Sequence, residues 1–142
     1  MAPCAWVSTH TPRFLPSGGL TTTRTVCESF LFAALGGRAA AFKPQAAFFE
    51  RHGSRGVAVL EEVIAACREV GTLCIVDAKR GDIGSTMAGY AEAFLSDQSP
   101  LAGDAVTLSP YLGVGSLTPA LELAKATGRG VSVSYTHLRA HE

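Results

Sequence analysis

The stretch VDAKRGDIGST, residues 76–86, places Asp77, Lys79, Arg80 and Asp82 within six positions directly after an apolar run. A buried strand ordinarily ends in small neutral turn residues. Two acids and two bases there indicate either a paired ion network or a site for charge chemistry. Side chains two apart on a strand share a face, so Asp77 and Lys79 can point into one cavity. Gly81 lets the chain turn sharply, and Asp82 then stands at the start of the next helix, where the helix dipole favours an acid. Taken alone, D-x-K-x-x-D is explained better by a structural pair and a helix cap. Lys43 changes the balance, because FKPQ ends the preceding strand. Neighbouring strands of a parallel sheet bring their carboxyl ends side by side, so Lys43, Asp77, Lys79 and Asp82 could form an alternating set of charges.

The elements that must position these groups are readable from period and punctuation. AAAFKP reads as a short buried strand over 39–43. Over 54–70, Val57, Leu60, Val63, Ile64, Cys67 and Val70 recur at helical spacing, with Ser54 as the start cap and Gly71 as the stop. TLCIV, without polar alternation, predicts a strand over 73–77 buried on both faces. A helix over 85–95 follows, then a strand in DAVTLS, residues 104–109. TPALELAKATG predicts a helix capped by Thr118, with Pro119 in its first turn and Gly128 at its end, and GVSVS a last strand over 130–134. Upstream, residues 1–25 are rich in turn formers and read as irregular, and 26–37 read as a short apolar helix. Repeated strand–helix order implies a parallel α/β sheet, either doubly wound or a (β/α)8 barrel, and both carry function at the strands' carboxyl ends. No G-x-G-x-x-G follows a strand, which weakens the dinucleotide-binding version.

Composition narrows the classes further. Twelve acids balance twelve bases. Zero net charge gives no electrostatic case for a nucleic-acid partner or an anionic membrane. No apolar run approaches the roughly 20 residues that span a bilayer, and the start MAPCAWVSTHTPRF is unlike a signal peptide. Cys4, Cys27, Cys67 and Cys74 lack C-x-x-C spacing, and the four histidines share no ligand spacing in one element. The reading is a reduced, cytoplasmic protein without a metal site: one domain over 1–142, irregular over 1–25.

Three blocks, FKPQAAFFERHG, DAKRGDIGST and LSPYLGVGSL, resemble orotidine 5'-phosphate decarboxylase in its longer bacterial form, over residues 38–131. That resemblance implies a (β/α)8 TIM barrel, of which this chain would hold about the first four to five strand–helix units. It implies a homodimer with active sites at the interface. The activity implied is removal of carbon dioxide from orotidine 5'-phosphate to give UMP, a step of pyrimidine biosynthesis, with no metal and no organic cofactor. By the same resemblance Lys79 would be the proton donor, Asp77 would lie beside the departing carboxylate, and Lys43 would link the network and reach the ribose. Asp82 would cross to the partner subunit's site, with Ile83 and Thr86 close to the same substrate and Ser109 near the pyrimidine. The magnesium-dependent sugar-phosphate decarboxylases and aldolases of related barrels are the alternative enzyme class, and a non-catalytic half-barrel is the alternative outside enzymes.

Both ends depart from the family pattern. Ser8 stands where an acid that binds the ribose is expected, and SVSYTHLRAHE replaces the continuation into further strand–helix units. Residues 132–142 therefore read as a tail foreign to the rest. The loops that would grip the substrate phosphate are missing from the chain, and the fragment is expected to be inactive alone.

Overall fold

The computed structural model describes residues 39–133. The irregular 1–25 with Ser8, the helix expected over 26–37 and the expected tail 132–142, apart from its first residues Ser132 and Val133, lie outside the described residues. The chain divides into two compact units, Met1–Ile75 and Val76–Glu142.

In the first unit, strand β1 (Ala41–Phe42) is followed by a short helix α1 (Ala46–Glu50) and a long helix α2 (Gly53–Glu69). The apolar face foreseen for α2 is the buried one: Leu60, Val63, Ile64 and Cys67 are each at most 3% exposed. Its caps differ from expectation. His52, not Ser54, is the N-cap residue, without a side-chain hydrogen bond. The chain is already turning after α1, where His52 N–H donates to Phe49 O at 3.0 Å, so the helix begins earlier. At the other end Gly71 takes φ 69° just past the C-cap Val70, the left-handed stop that glycine favours. Strand β2 (Leu73–Arg80) then begins and pairs parallel with β1, Ala41 opposite Leu73 and Phe42 opposite Cys74.

β2 runs three residues beyond the strand expected over 73–77 and carries the chain into the second unit. Its burial is not two-sided throughout: Cys74 and Val76 are buried, but Leu73 is 56% exposed. Leu73 is the first residue of the strand, two positions after Gly71. The second unit continues with α3 (Gly84–Leu95), β3 (Ala105–Leu108), a 3-10 turn at Val114–Leu117, α4 (Thr118–Thr127) and β4 (Gly130–Val133). β3 and β4 pair parallel over four residues, from Ala105 opposite Gly130 to Leu108 opposite Val133. The hydrogen-bonded strand order is β1-β2-β3-β4. Parallel strands in chain order with a helix between successive strands are the repeat of a β/α barrel, of which four strands are described here.

The core of this unit is made by Val76, Met87, Leu95, Val106, Leu108 and Leu117, all at most 1% exposed. Arg129 ties the amino end of β4 to the connection before β3. Its side chain donates to Gly103 O at 3.0 Å and pairs with Asp97. Thr118 does not cap α4 as foreseen. The 3-10 turn has already coiled the chain, so Leu117 is the N-cap residue and the Thr118 hydroxyl donates back to Gly115 O at 2.8 Å. Pro119 lies in the first turn, and Gly128 closes the helix at φ 71°.

Candidate active site

Asp77 and Lys79 stand near the carboxyl end of β2, in the second unit. Asp77 is 3% exposed, so its carboxylate has little water to solvate it. Two donors compensate at one oxygen. The Lys79 ammonium donates to Asp77 Oδ1 at 2.6 Å, and the Thr107 hydroxyl donates to the same oxygen at 2.7 Å. Thr107 comes from β3 and is itself buried. Its hydroxyl oxygen also accepts the backbone N–H of Lys79 at 3.0 Å. One threonine therefore holds both the carboxylate and the backbone of the lysine. Such bonds to an ionised group are among the stronger ones in proteins.

Lys79 takes φ 50°, the one positive φ among the described non-glycine residues. A left-handed lysine inside a strand is strained, and strain of this kind persists where surrounding bonds over-determine it. Here those bonds are the Thr107 contact at its amide and the Asp77 contact at its ammonium. The lysine side chain remains 51% exposed, so one end of the ion pair is buried and the other is open to a ligand.

The turn after β2 is built differently from expectation. Gly81 has no positive φ; that conformation falls on Lys79 and Gly84. Gly81 is needed for a close approach, because a Cβ there would lie 2.3 Å from Ser109 O. The approach is fixed by Ser109 N–H donating to Arg80 O at 2.8 Å. The Arg80 guanidinium stacks over Tyr90 at 5.6 Å and Phe94 at 6.0 Å, one helical turn apart on α3. This joins β2 to the helix that follows it.

The remaining candidates divide. Ser109 lies half-buried just past β3, on the same strand-end as Thr107. Asp82 does not join the Asp77–Lys79 pair within this unit. Its carboxylate accepts the N–H of Ile83 at 2.8 Å. Ile83, the N-cap residue of α3, is 62% exposed, and Thr86 in the first turn is exposed as well. Lys43 follows β1 directly, half-buried, in the first unit. Thr107 was not foreseen as functional: a threonine between Val106 and Leu108 reads as an ordinary β-branched strand residue. Among the described residues no three His, Cys, Asp or Glu side chains gather as metal ligands would.

Comparison with known proteins gives this geometry its context. The family model described as orotidine 5'-phosphate decarboxylase / HUMPS family matches residues 21–135. The chain belongs to that family. It is 54% identical over 133 residues to an orotidine 5'-phosphate decarboxylase of Salinispora tropica, covering 92% of this chain and 48% of that protein. To the protein of the same name from Corynebacterium efficiens it is 67% identical over 91 residues, 64% of this chain and 32% of that one. A solved structure of Leishmania donovani OMP decarboxylase superposes with a TM-score of 0.66 at 36% identity, covering 83% of this chain and 44% of that one. The chain thus spans about half or less of the length of the relatives it matches. The matched residues 21–135 include every candidate residue from Lys43 to Ser109.

Proposed function

We propose that this segment carries the proton-donating half of an orotidine 5'-phosphate decarboxylase site. The observation that carries the reading is a half-exposed Lys79 ammonium held 2.6 Å from the buried Asp77 carboxylate, in a chain of this family. Decarboxylation breaks the bond between the pyrimidine ring and its carboxylate. Carbon dioxide leaves without the bonding electron pair, which stays on the ring carbon. The Lys79 ammonium stabilises that developing charge and then donates a proton to the same carbon, giving UMP and a neutral amine. A preformed positive charge at the reacting carbon costs no reorganisation when the electron pair arrives. Asp77 keeps the ammonium in place and stands beside the departing carboxylate.

Lys43 would extend the charge network and reach the ribose, and Ser109 would lie near the pyrimidine. Ile83 and Thr86 are left exposed by their own unit and Asp82 is half-buried beside them, which supports a role for the three toward a substrate held by a second subunit of a homodimer. No described helix is long and apolar enough to cross a membrane; the family match supports a cytoplasmic enzyme acting on a small molecule, and zero net charge gives no case for nucleic acid. No metal or organic cofactor is assigned to the site.

The test is decarboxylation of orotidine 5'-phosphate, followed as formation of UMP. Residues 39–133 are placed in the corresponding segment of the Salinispora tropica relative and assayed in excess chelator. Turnover near that of the parent relative supports the reading. Activity that appears only with added magnesium, or on a sugar phosphate instead, points to the alternative enzyme class. The 142 residues by themselves are expected to give no turnover, since remote binding energy drives chemistry at the reacting centre and they span only 48% of the length of the Salinispora tropica relative.

A further inference from the structure

We propose that Thr107 is the positioning residue of the site: its single hydroxyl sets both the ionisation of Asp77 and the strained backbone of Lys79. The inference rests on the decarboxylase reading for its consequence in turnover, but not for its geometry.

A hydroxyl has one proton and lone pairs to accept with. Thr107 uses the proton on Asp77 Oδ1, at 2.7 Å, and accepts from Lys79 N–H at 3.0 Å. Each bond fixes the direction of the other. Because the lysine amide occupies a lone pair, the hydroxyl proton is aimed at the carboxylate. Because the proton is so aimed, an acceptor is always presented to the lysine amide. Lys79 is at φ 50°, so its amide does not continue regular strand geometry, and a side-chain oxygen from the adjacent strand supplies the acceptor instead. The residue is buried, which protects both bonds from water. Valine has the same shape without the hydroxyl. Serine keeps the hydroxyl and loses only the methyl.

The test uses the 142-residue chain and Thr107→Val, with Thr107→Ser as the rescuing variant. The probe is the Asp77 carboxyl carbon, followed by NMR against pH. Loss of a hydrogen bond to the charged form disfavours that form, so the Asp77 midpoint rises by about one to two pH units in Thr107→Val. Hydrogen exchange at the Lys79 amide speeds up, while amides of α4 and β4 exchange as in the parent chain. Thr107→Ser restores the parent midpoint and the slow Lys79 exchange. A merely structural threonine would move exchange throughout the unit and leave the Asp77 midpoint in place. An unchanged midpoint in folded Thr107→Val overturns the proposal. So does a Thr107→Ser chain that titrates away from the parent midpoint, and this second result decides the matter if the valine variant does not fold.

A separate arm measures turnover in the segment placed within the Salinispora tropica relative. Thr107→Val should lower kcat about tenfold or more with KM changed less than about threefold, and Thr107→Ser should restore kcat. If that protein makes no UMP even with Thr107 intact, the decarboxylase reading fails while the titration result stands on its own.

Discussion

Residues 76–80 and 82–86 belong to one short sequence motif, yet the structure treats its halves in opposite ways. In the first half Asp77 is 3% exposed and receives two hydrogen bonds on one oxygen. Lys79 is tied at both its amide and its ammonium. In the second half Asp82 reaches only as far as the N–H of the next residue, Ile83 is 62% exposed, and Thr86 is open to solvent. The difference separates two kinds of candidate residue. Some are preorganised by their own subunit, at a cost in strain and desolvation. Others are displayed, and on the proposed reading their contacts would lie with something outside that subunit. On that reading, a site shared between two subunits would need both kinds, and this motif would supply them within eleven residues.

The halves should therefore respond differently to substitution. The largest effect is expected at Lys79. In the segment placed within the Salinispora tropica relative, Lys79→Ala should lower turnover on the order of 10⁴-fold or more, since it removes both the acid and the charge stabiliser. It also removes one of the donors to the buried Asp77 carboxylate, leaving the Thr107 hydroxyl in place, so the variant should lose about 1–3 kcal/mol of unfolding free energy, read from its denaturant midpoint. Near-normal UMP formation by Lys79→Ala would break the comparison outright.

A smaller loss is expected at the junction of the halves. Gly81→Ala puts a methyl 2.3 Å from Ser109 O. The carbonyl must move, and the Ser109–Arg80 backbone bond moves with it. Overpacking of this kind costs about 1–3 kcal/mol, readable from denaturant midpoints. A neutral result would mean that the two strand ends are not held at the distance described.

The smallest effect on stability belongs to the displayed half. Ile83→Ala and Thr86→Ala should each change the stability of the 142-residue chain by less than about 0.5 kcal/mol. In the full-length setting the same substitutions should raise KM for orotidine 5'-phosphate. If they destabilised the chain as much as Gly81→Ala does, Ile83 and Thr86 would be structural after all.

How much of this could be read from sequence follows the same division. The helix of residues 53–69 was legible because Leu60, Val63, Ile64 and Cys67 recur at helical spacing, and that face is the buried one. The parallel strand–helix order was legible from apolar runs alternating with periodic segments. Asp77 and Lys79 stood out because charges are costly beside a buried strand. Thr107 was hidden, since a threonine in AVTL satisfies strand propensity whatever its hydroxyl does. The positive φ of Lys79 was hidden as well, because lysine carries no turn signal and the nearby Gly81 drew the expectation of a turn to itself. The caps at Ser54 and Thr118 were misplaced because a preceding turn had already started each helix, which composition does not encode. The family resemblance read from FKPQAAFFERHG, DAKRGDIGST and LSPYLGVGSL agrees with the family match.

The central claim, that the Lys79 ammonium is the acid of the site, can be tested by removing that group and putting it back. Lys79→Cys in the segment placed within the Salinispora tropica relative removes the amine. Alkylation with 2-bromoethylamine then rebuilds a side chain of nearly lysine length with an ammonium at its end, and the same treatment of the unsubstituted protein serves as control. The account predicts turnover of orotidine 5'-phosphate falling by on the order of 10⁴-fold in the cysteine variant and rising at least about a hundredfold on alkylation. A cysteine variant that turns over normally, or one that alkylation leaves inactive while the treated control keeps its rate, would contradict it.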